Sequence, residues 1–398
     1  MGLATAGFLV VVGLTGSLLA FYEELDALIN PHLSVPARPG AVPLDLATLA
    51  ERAQALAPQA QVTEITLRSA HQAEARVRPW PAQAAGATTT LDFDNLLLDP
   101  YTGNELGRRR WGDLGQGWTN LMPFVYRLHY ELALDSVGLW TLGIVALAWT
   151  LDCLWSLVLT LPAPRRSASA SASASARRGF WARWMPSWQI KHPATGFRRV
   201  FDLHRATSLW LWLVLLGFAW SSVYMNLWDT VYTAVTRSVP EYRTVWTELP
   251  PLPVPRERPG LSWRQAQERG EALMAAQAGA AGLVVERAAT LRYVPQHGAW
   301  LYRVHSSADV QARRGRTDLY FDADTGAQRL FVQPSGRHAG NTVTEWLYAL
   351  HKADVFGLAW RIFVCALGLV VAMLAGTGVW IWLKKRGARR VGTGSAPD

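Results

Sequence analysis

WLYALHKADVFGLAWRIFVCALGLVVAMLAGTGVWIW, residues 346–382, joins a histidine to a stretch able to cross a bilayer. Between Val355 and Leu383 the only ionisable side chains are Arg361 and Cys365, and as a helix that run is long enough for roughly 30 Å of hydrocarbon. His351 stands at its entrance. The same words occur upstream in FVYRLHYELALDSVGLWTLGIVALAW, residues 124–149, where Phe124, Val125, Tyr126, Leu128 and His129 match Trp346, Leu347, Tyr348, Leu350 and His351 in order. Two spans are therefore expected to begin with an aromatic residue, a tyrosine and Leu-His. A polar residue repeated at one depth of two membrane helices is a candidate ligand pair; the alternative is a pair of interfacial histidines that only hydrate their rings.

Working outward, apolar runs at 1–22, 131–161, 204–227 and 351–383 read as four membrane helices. For the first run a cleaved signal peptide is the alternative, opposed by the lack of a basic leader and by Glu23, Glu24 and Asp26 directly after it. Twenty tryptophans gather at the ends of the apolar runs, as interfacial belts do. The net charge of +9 does not indicate nucleic acid, because the cations are unevenly placed. Arg165, Arg166, Arg177, Arg178, Arg183, Lys191, Arg198, Arg199 and Arg205 cluster between the second and third spans, and Lys384, Lys385, Arg386, Arg389 and Arg390 follow the fourth. By the positive-inside rule the loop 162–203 and the tail 384–398 belong in the cytoplasm, with both termini, and segments 23–130 and 228–350 belong outside. The loop holds a Ser-Ala alternation from Ser167 to Ala176, a flexible linker. Phe180, Trp181, Trp184 and Trp188 are placed to rest on the inner leaflet. Cys153 and Cys365 lie in apolar runs and read as buried thiols.

The two external segments resemble each other. In the first, Leu44–Leu56 has helical spacing, Gln61–Ser69 and Thr88–Leu98 read as strands, and LDPYTGNELG turns at Asp99–Gly103. In the second, Leu261–Gln277 is helical, Gly282–Tyr293, Ala299–Ser306 and Thr317–Phe321 are strands, and FDADTGAQRL turns at Asp322–Gly326. The shared D-x-x-T-G is a hairpin turn, with Asp accepting backbone N–H groups and Gly taking positive φ. Each copy runs into a Leu-His entrance, so the whole reads as an internal duplication.

In their order, GLTGSLLAFYEELD (13–26), LDPYTG (98–103), LHYELALDSVG (128–138), FDLHRATSL (201–209) and LHKADVFG (350–357) resemble the PepSY-associated transmembrane helix family over nearly the whole chain. The resemblance implies a four-span α-helical bundle with two periplasmic α+β modules, in a multi-pass protein of the bacterial inner membrane. The family's iron-regulated members are ferrisiderophore reductases with two b-type haems, one near each membrane face, held by histidines of the spans. On this chain that implies haem iron ligated by His129 and His351 at the outer face and by His204 at the inner one. The first-span position equivalent to His204 falls about one residue before Met1, by alignment of VVGLTGSLL on LLGFAWSSV, so the inner haem has no matched second ligand; three readings stay open: a start further upstream, an absent inner haem, or another group in the role, with His192 as a candidate. Arg127, Arg205 and Arg361 stand near span ends, where propionates need cations; for Arg361 the alternatives are snorkelling or an ion pair with Asp152.

No acid–base dyad is expected, because one-electron reduction of a ferric siderophore loosens the metal without one. No flavin or nicotinamide fingerprint occurs, so the electron donor is expected to be a cytoplasmic reductase or quinol. Arg108, Arg109, Arg110, Trp111 and Trp118 are the candidate chelate surface, or a helix lying on the membrane. His32, His71, His297, His305 and His338 lack metal-ligand spacing and read as surface residues. Two rival functions remain open: an anchored binding protein without redox chemistry, and a cytochrome relaying electrons to another periplasmic protein.

Overall fold

The computed structural model describes residues 2–80, 90–163, 179–236 and 241–393; the Ser-Ala linker lies outside them. In chain order the elements are α1 (Gly2–Leu19), α2 (Tyr22–Ile29), α3 (Leu46–Leu56), β1 (Ala60–Ser69), β2 (Gln72–Pro79), β3 (Asn95–Leu98), β4 (Glu105–Arg109), α4 (Leu121–Glu131), α5 (Asp135–Thr160), α6 (Gly196–Trp210), α7 (Trp212–Asn226), α8 (Trp263–Ala281), β5 (Val285–Val294), β6 (Ala299–Ser306), β7 (Thr317–Asp322), β8 (Gln328–Val332), α9 (Ala339–His351) and α10 (Gly357–Thr393). They form two compact units. One is helical, drawn from the chain up to Leu18, Leu128–Thr233 and the chain from Ile362; the other comprises Leu19–Arg127 and Ala234–Arg361.

Two helices, α5 and α10, are each long and apolar enough to cross a membrane, and two bent pairs make up to four spans. Thr5–Leu19 and Tyr22–Ile29 differ in direction by 74°, and α6 and α7 by 70°. The third run, read in sequence as one rod from 204 to 227, is thus broken at Leu211. The indoles on either side of the break are held by different partners: Trp210 donates to the Trp188 carbonyl (3.0 Å) and Trp212 to the Cys153 carbonyl of α5 (2.7 Å).

Within the helical unit α1 and α10 meet at glycine. A Cβ on Gly13 would stand 2.6 Å from the Gly368 carbonyl oxygen, and one on Gly368 would stand 2.4 Å from that of Gly13. Ser17 donates to the Cys365 carbonyl at 2.7 Å. Gly13 faces Gly368 and Ala372 while Ser17 faces Cys365 and Gly368, so the two helices run antiparallel with their backbones in contact, as small residues permit. On the other side Gly143 of α5 receives the Leu227 side chain, and Asn226 donates to the carbonyls of Tyr130 (2.9 Å) and Leu139 (3.2 Å).

The Leu-His words do not open the long spans. Both belong to preceding helices: His129 lies in the last turn of α4 and His351 is the last residue of α9. Left-handed residues then turn the chain, Leu132, Ala133 and Asp135 in the first copy and Ala353, Phe356 and Gly357 in the second. In the first turn the corner closes so tightly that a Cβ on Gly138 would lie 1.6 Å from the Glu131 carbonyl oxygen. Hydropathy does not register such a break, because the residues in it are largely apolar.

The second unit carries the duplication further than two modules. The eight strands among the described residues make one antiparallel sheet, in the order β4-β3-β2-β1-β5-β6-β7-β8. Each half is a helix followed by a four-strand meander, and β1 pairs with β5 through Glu64↔Arg292, Ile65↔Leu291 and Thr66↔Thr290. The inner edge of each copy thereby covers the other's. Helices α3 and α8 share one core with this sheet, including Leu49, Ala53 and Met274 against Ile65, Leu291 and Phe321. Asp45 caps α3 by accepting from the Thr48 N–H, and Ser262 and Gln265 form a capping box on α8. The two D-x-x-T-G turns take the same form. Asp99 accepts from the N–H of Tyr101 and Thr102, Asp322 from those of Asp324 and Thr325, and Gly103 and Gly326 have φ of 69° and 70°.

Strand β2 escapes a hydropathy reading because its central side chain is charged. Glu74 is 2% exposed and paired with Arg68. Burial alone would raise its carboxyl, but the charge and hydrogen bond of Arg68 outweigh burial and hold it below the usual range. A carboxyl depressed on folding contributes stability above its unfolded pKa of about 4.3 and loses it as pH falls through the folded value. Glu74→Gln leaves Arg68 without its carboxylate partner and is expected to cost about 3–5 kcal/mol at pH 7. In thermal melts of the two proteins the gap should close as pH falls below 4.

Candidate functional site

Polar side chains in the helical unit converge on two histidines, built alike. The first is His129, whose Nδ1 lies 3.0 Å from the Thr15 hydroxyl of α1. That hydroxyl donates its proton to the Val11 carbonyl at 2.7 Å, so towards histidine it accepts and Nδ1 carries the hydrogen. The tautomer with its lone pair on Nε2 follows. The next residue, Gly16, makes room for the ring: a Cβ there would come within 3.0 Å of Cε1, 3.6 Å of Nδ1 and 3.9 Å of Nε2.

The second is His204 on α6. Its Nδ1 lies 2.9 Å from the Thr377 hydroxyl of α10, which donates to the Met373 carbonyl at 2.8 Å. The same reasoning places the lone pair on Nε2. Again a glycine follows the threonine, and a Cβ on Gly378 would stand 3.3 Å from His204 Cε1. Thus Thr15-Gly16 and Thr377-Gly378 do one job at two places. Given the antiparallel crossing at Gly13 and Gly368, the two places are separated by about ten residues of helix, or on the order of 15 Å along the axis.

Sequence reading singled out the histidines and missed both threonines. The signal is present as a Thr-Gly dipeptide in the first and last spans, GLTGSL (13–18) and AGTGVW (375–380).

The repeated tyrosines also have a shared role. Lys352 Nζ lies 5.3 Å from the Tyr126 ring centroid and 5.4 Å from that of Tyr348, with its ammonium 3.2 Å from the Tyr126 hydroxyl. His129 and His351 each follow their tyrosine by three residues, one turn along α4 and α9.

The three arginines are committed to other partners. Arg205 donates to the carbonyls of Ser187 (3.1 Å) and Pro186 (2.9 Å) and pairs with Asp202 at 2.9 Å, holding the turn before α6. Arg361 donates to the carbonyl of Ala20, a buried residue just past the end of α1, at 2.9 Å, and pairs with Glu24 rather than Asp152. Arg127 lays its stem over Gly112, which has φ of 74°. His192 is an exposed residue of the connection before α6.

The candidate chelate surface does not hold together. Arg109 is 3% exposed and grips Asp26 through two hydrogen bonds of 3.2 and 3.0 Å, while Arg108 pairs with Glu105 and Arg110 donates to the Leu91 carbonyl. Trp111 packs with Tyr22 and Tyr126, and Trp118 remains exposed. Of the five external histidines read as surface residues, His297 and His305 are buried, stacked on Trp246 and hydrogen-bonded to the Gln311 carbonyl respectively.

Among the described residues no group of three or more His, Cys, Asp or Glu side chains converges as a metal site. A porphyrin brings four nitrogens of its own and asks the protein for one or two axial ligands, and a neutral imidazole anchored through Nδ1 is a suitable one. The residues present therefore fit such a group.

A helical unit with two to four candidate spans, together with a second unit built on a duplicated antiparallel sheet, defines a membrane protein with a substantial folded part other than the apolar helices. The chain belongs to the family described as PepSY-associated TM region, whose model matches residues 1–385. No curated protein matches it.

Proposed function

We propose that this protein is a b-type haem carrier of the bacterial inner membrane that passes electrons outward and reduces a ferric chelate of the siderophore class. The observation that carries the proposal is the paired arrangement of His129 on Thr15-Gly16 and His204 on Thr377-Gly378. An imidazole in hydrocarbon needs a partner for each nitrogen, and in both places Nδ1 is satisfied by a threonine, which directs Nε2 towards ligation. Bound haem, held by the imidazoles of His129 and His204, would supply one-electron redox chemistry.

The chain's own residues hold and orient. The threonines fix ring orientation and tautomer, and the glycines let the rings lie against the helices. By the sequence repeat His351 is proposed as a further haem ligand for the outer face. His204 would hold haem at the inner position. The basic loop and tail set this inner position towards the cytoplasm, where a reductase or quinol donates, and set the sheet unit in the periplasm. One electron converts Fe(III) to Fe(II), for which hard oxygen ligands have much lower affinity, so the metal is released.

Purified protein is expected to show a Soret band that shifts and sharpens with dithionite. Adding a ferric siderophore to the reduced protein should restore the oxidised spectrum and yield ferrous iron, trapped by a ferrous-specific chelator. Absence of a Soret band after expression with ample haem would leave only an anchored pair of fused α/β halves; a spectrum that ferric chelates do not reoxidise would leave a relay cytochrome.

A further inference from the structure

Within the helical unit, the start of α6 and the second half of α10 meet in a row of three aromatic rings. Phe197 stacks on Phe201, with centroids 6.1 Å apart and planes at 20°, and on Trp380 of α10, at 5.9 Å and 26°. A lysine stands over each end of the row. Lys384 Nζ lies 5.9 Å from the Trp380 centroid, and Lys385 Nζ lies 5.2 Å from that of Phe201. Phe197 is 40% exposed, and both lysines are exposed.

The cations at this corner divide into two sets. Arg198 and Arg205 pair with the buried Asp202, at 2.8 and 2.9 Å. Lys384 and Lys385 have no such counterpart: among the described residues no carboxylate pairs with either, and their neighbours are the rings. The apolar run of α10 ends at Leu383, immediately before them. On a membrane span they therefore stand where hydrocarbon gives way to headgroups, with their stems along the rings and their ammonium groups free to reach outward. Exposed rings beside uncompensated ammonium groups complement a molecule that has both an acyl chain and an anionic phosphate. A water-soluble acidic protein would answer the charges and leave the rings without a counterpart, so the rings favour lipid.

From this arrangement we infer that Trp380, Phe197 and Phe201, with Lys384 and Lys385, form a binding site for an anionic phospholipid, in the cytoplasmic leaflet by the orientation proposed above. The acyl chain lies along the rings and the phosphate is held by the two lysines. A zwitterionic headgroup gains less there, because its own cation meets the same ammonium groups. The site is independent of haem at His204.

The test is native mass spectrometry of the full-length protein in detergent, titrated with dioleoylphosphatidylglycerol and with dioleoylphosphatidylcholine, which carry the same chains and differ in headgroup charge. The anionic lipid is expected to bind about tenfold more tightly, as two lysines at a charged surface allow. Replacing both lysines, Lys384→Gln with Lys385→Gln, should bring the two lipids to within about twofold of each other; both positions are exposed, so folding is not at stake. Arg386→Gln is the control. It removes the adjacent charge, which lies over Trp382 at 5.1 Å and outside the row, and should leave the preference intact. Equal affinity for the two lipids in the unaltered protein would leave the lysines to an acidic protein partner and overturn the assignment. An undiminished preference in the double lysine variant, or its loss in Arg386→Gln, would overturn it as well.

Discussion

His129→Ala is expected to remove one haem and leave the other, halving the Soret absorbance per protein and abolishing electron delivery to a periplasmic ferric chelate. His204→Ala should remove the opposite haem and block reduction by a cytoplasmic donor, while artificially reduced protein still reacts with the chelate. The threonines give the sharper test. Thr15→Val preserves the volume at the site and deletes the acceptor that fixes His129 Nδ1, and loss of such an outer hydrogen bond typically costs 10–100-fold in metal affinity. Haem titration of the variant should show that loss together with a changed midpoint potential, and Thr15→Ser, which keeps the hydroxyl, should restore both. Thr377→Val and Thr377→Ser should repeat the result at His204. Unchanged spectra and potentials in both valine variants would mean that these histidines are interfacial groups hydrogen-bonded for their own sake.

The sequence made the apolar runs, the duplication and the histidines legible because each leaves a local mark. Hydropathy over about 20 residues reveals a span, and the D-x-x-T-G words occur twice with nearly the same spacing to a Leu-His word, 30 residues from Asp99 to His129 and 29 from Asp322 to His351. What stayed hidden depends on partners far apart in the chain. The break at Leu211 is flanked by indole hydrogen bonds to residues 188 and 153, and nothing at Leu211 itself announces it. The seam between β1 and β5 joins residues 64–66 to 290–292, a register no local pattern encodes. Arg205 and Arg361 read as spare cations because a charge near a span end looks unpaired until its carbonyls and carboxylates are seen. Thr15 and Thr377 are the instructive omission. A threonine inside an apolar helix usually donates back to a carbonyl one turn earlier, as both do here, and only the fold brings a histidine to its remaining lone pairs.

The packing of α1 on α10 carries the consequence furthest. Each helix bears one Thr-Gly site, and their relative position is fixed where Gly13 and Gly368 bring the two backbones together. A side chain on Gly368 would meet the Gly13 carbonyl oxygen and the Ser17 hydroxyl, both at 2.4 Å from its Cβ, and the first is backbone that cannot swing away. Gly368→Val must therefore push the helices apart or slide one along the other, and ordinary overpacking already costs about 1–3 kcal/mol. Because Thr15-Gly16 lies one turn from the crossing, while Thr377-Gly378 lies more than two turns away on the opposite side, the displacement disturbs both sites together. Gly376→Val on the same helix is the control, since a Cβ there meets nothing within 4 Å. The expected result is loss of both haems at least tenfold in Gly368→Val, with wild-type haem content and monodispersity in Gly376→Val. Loss confined to one haem in Gly368→Val would show that the two sites are held independently, and full retention would show that the glycine contact does not set their positions.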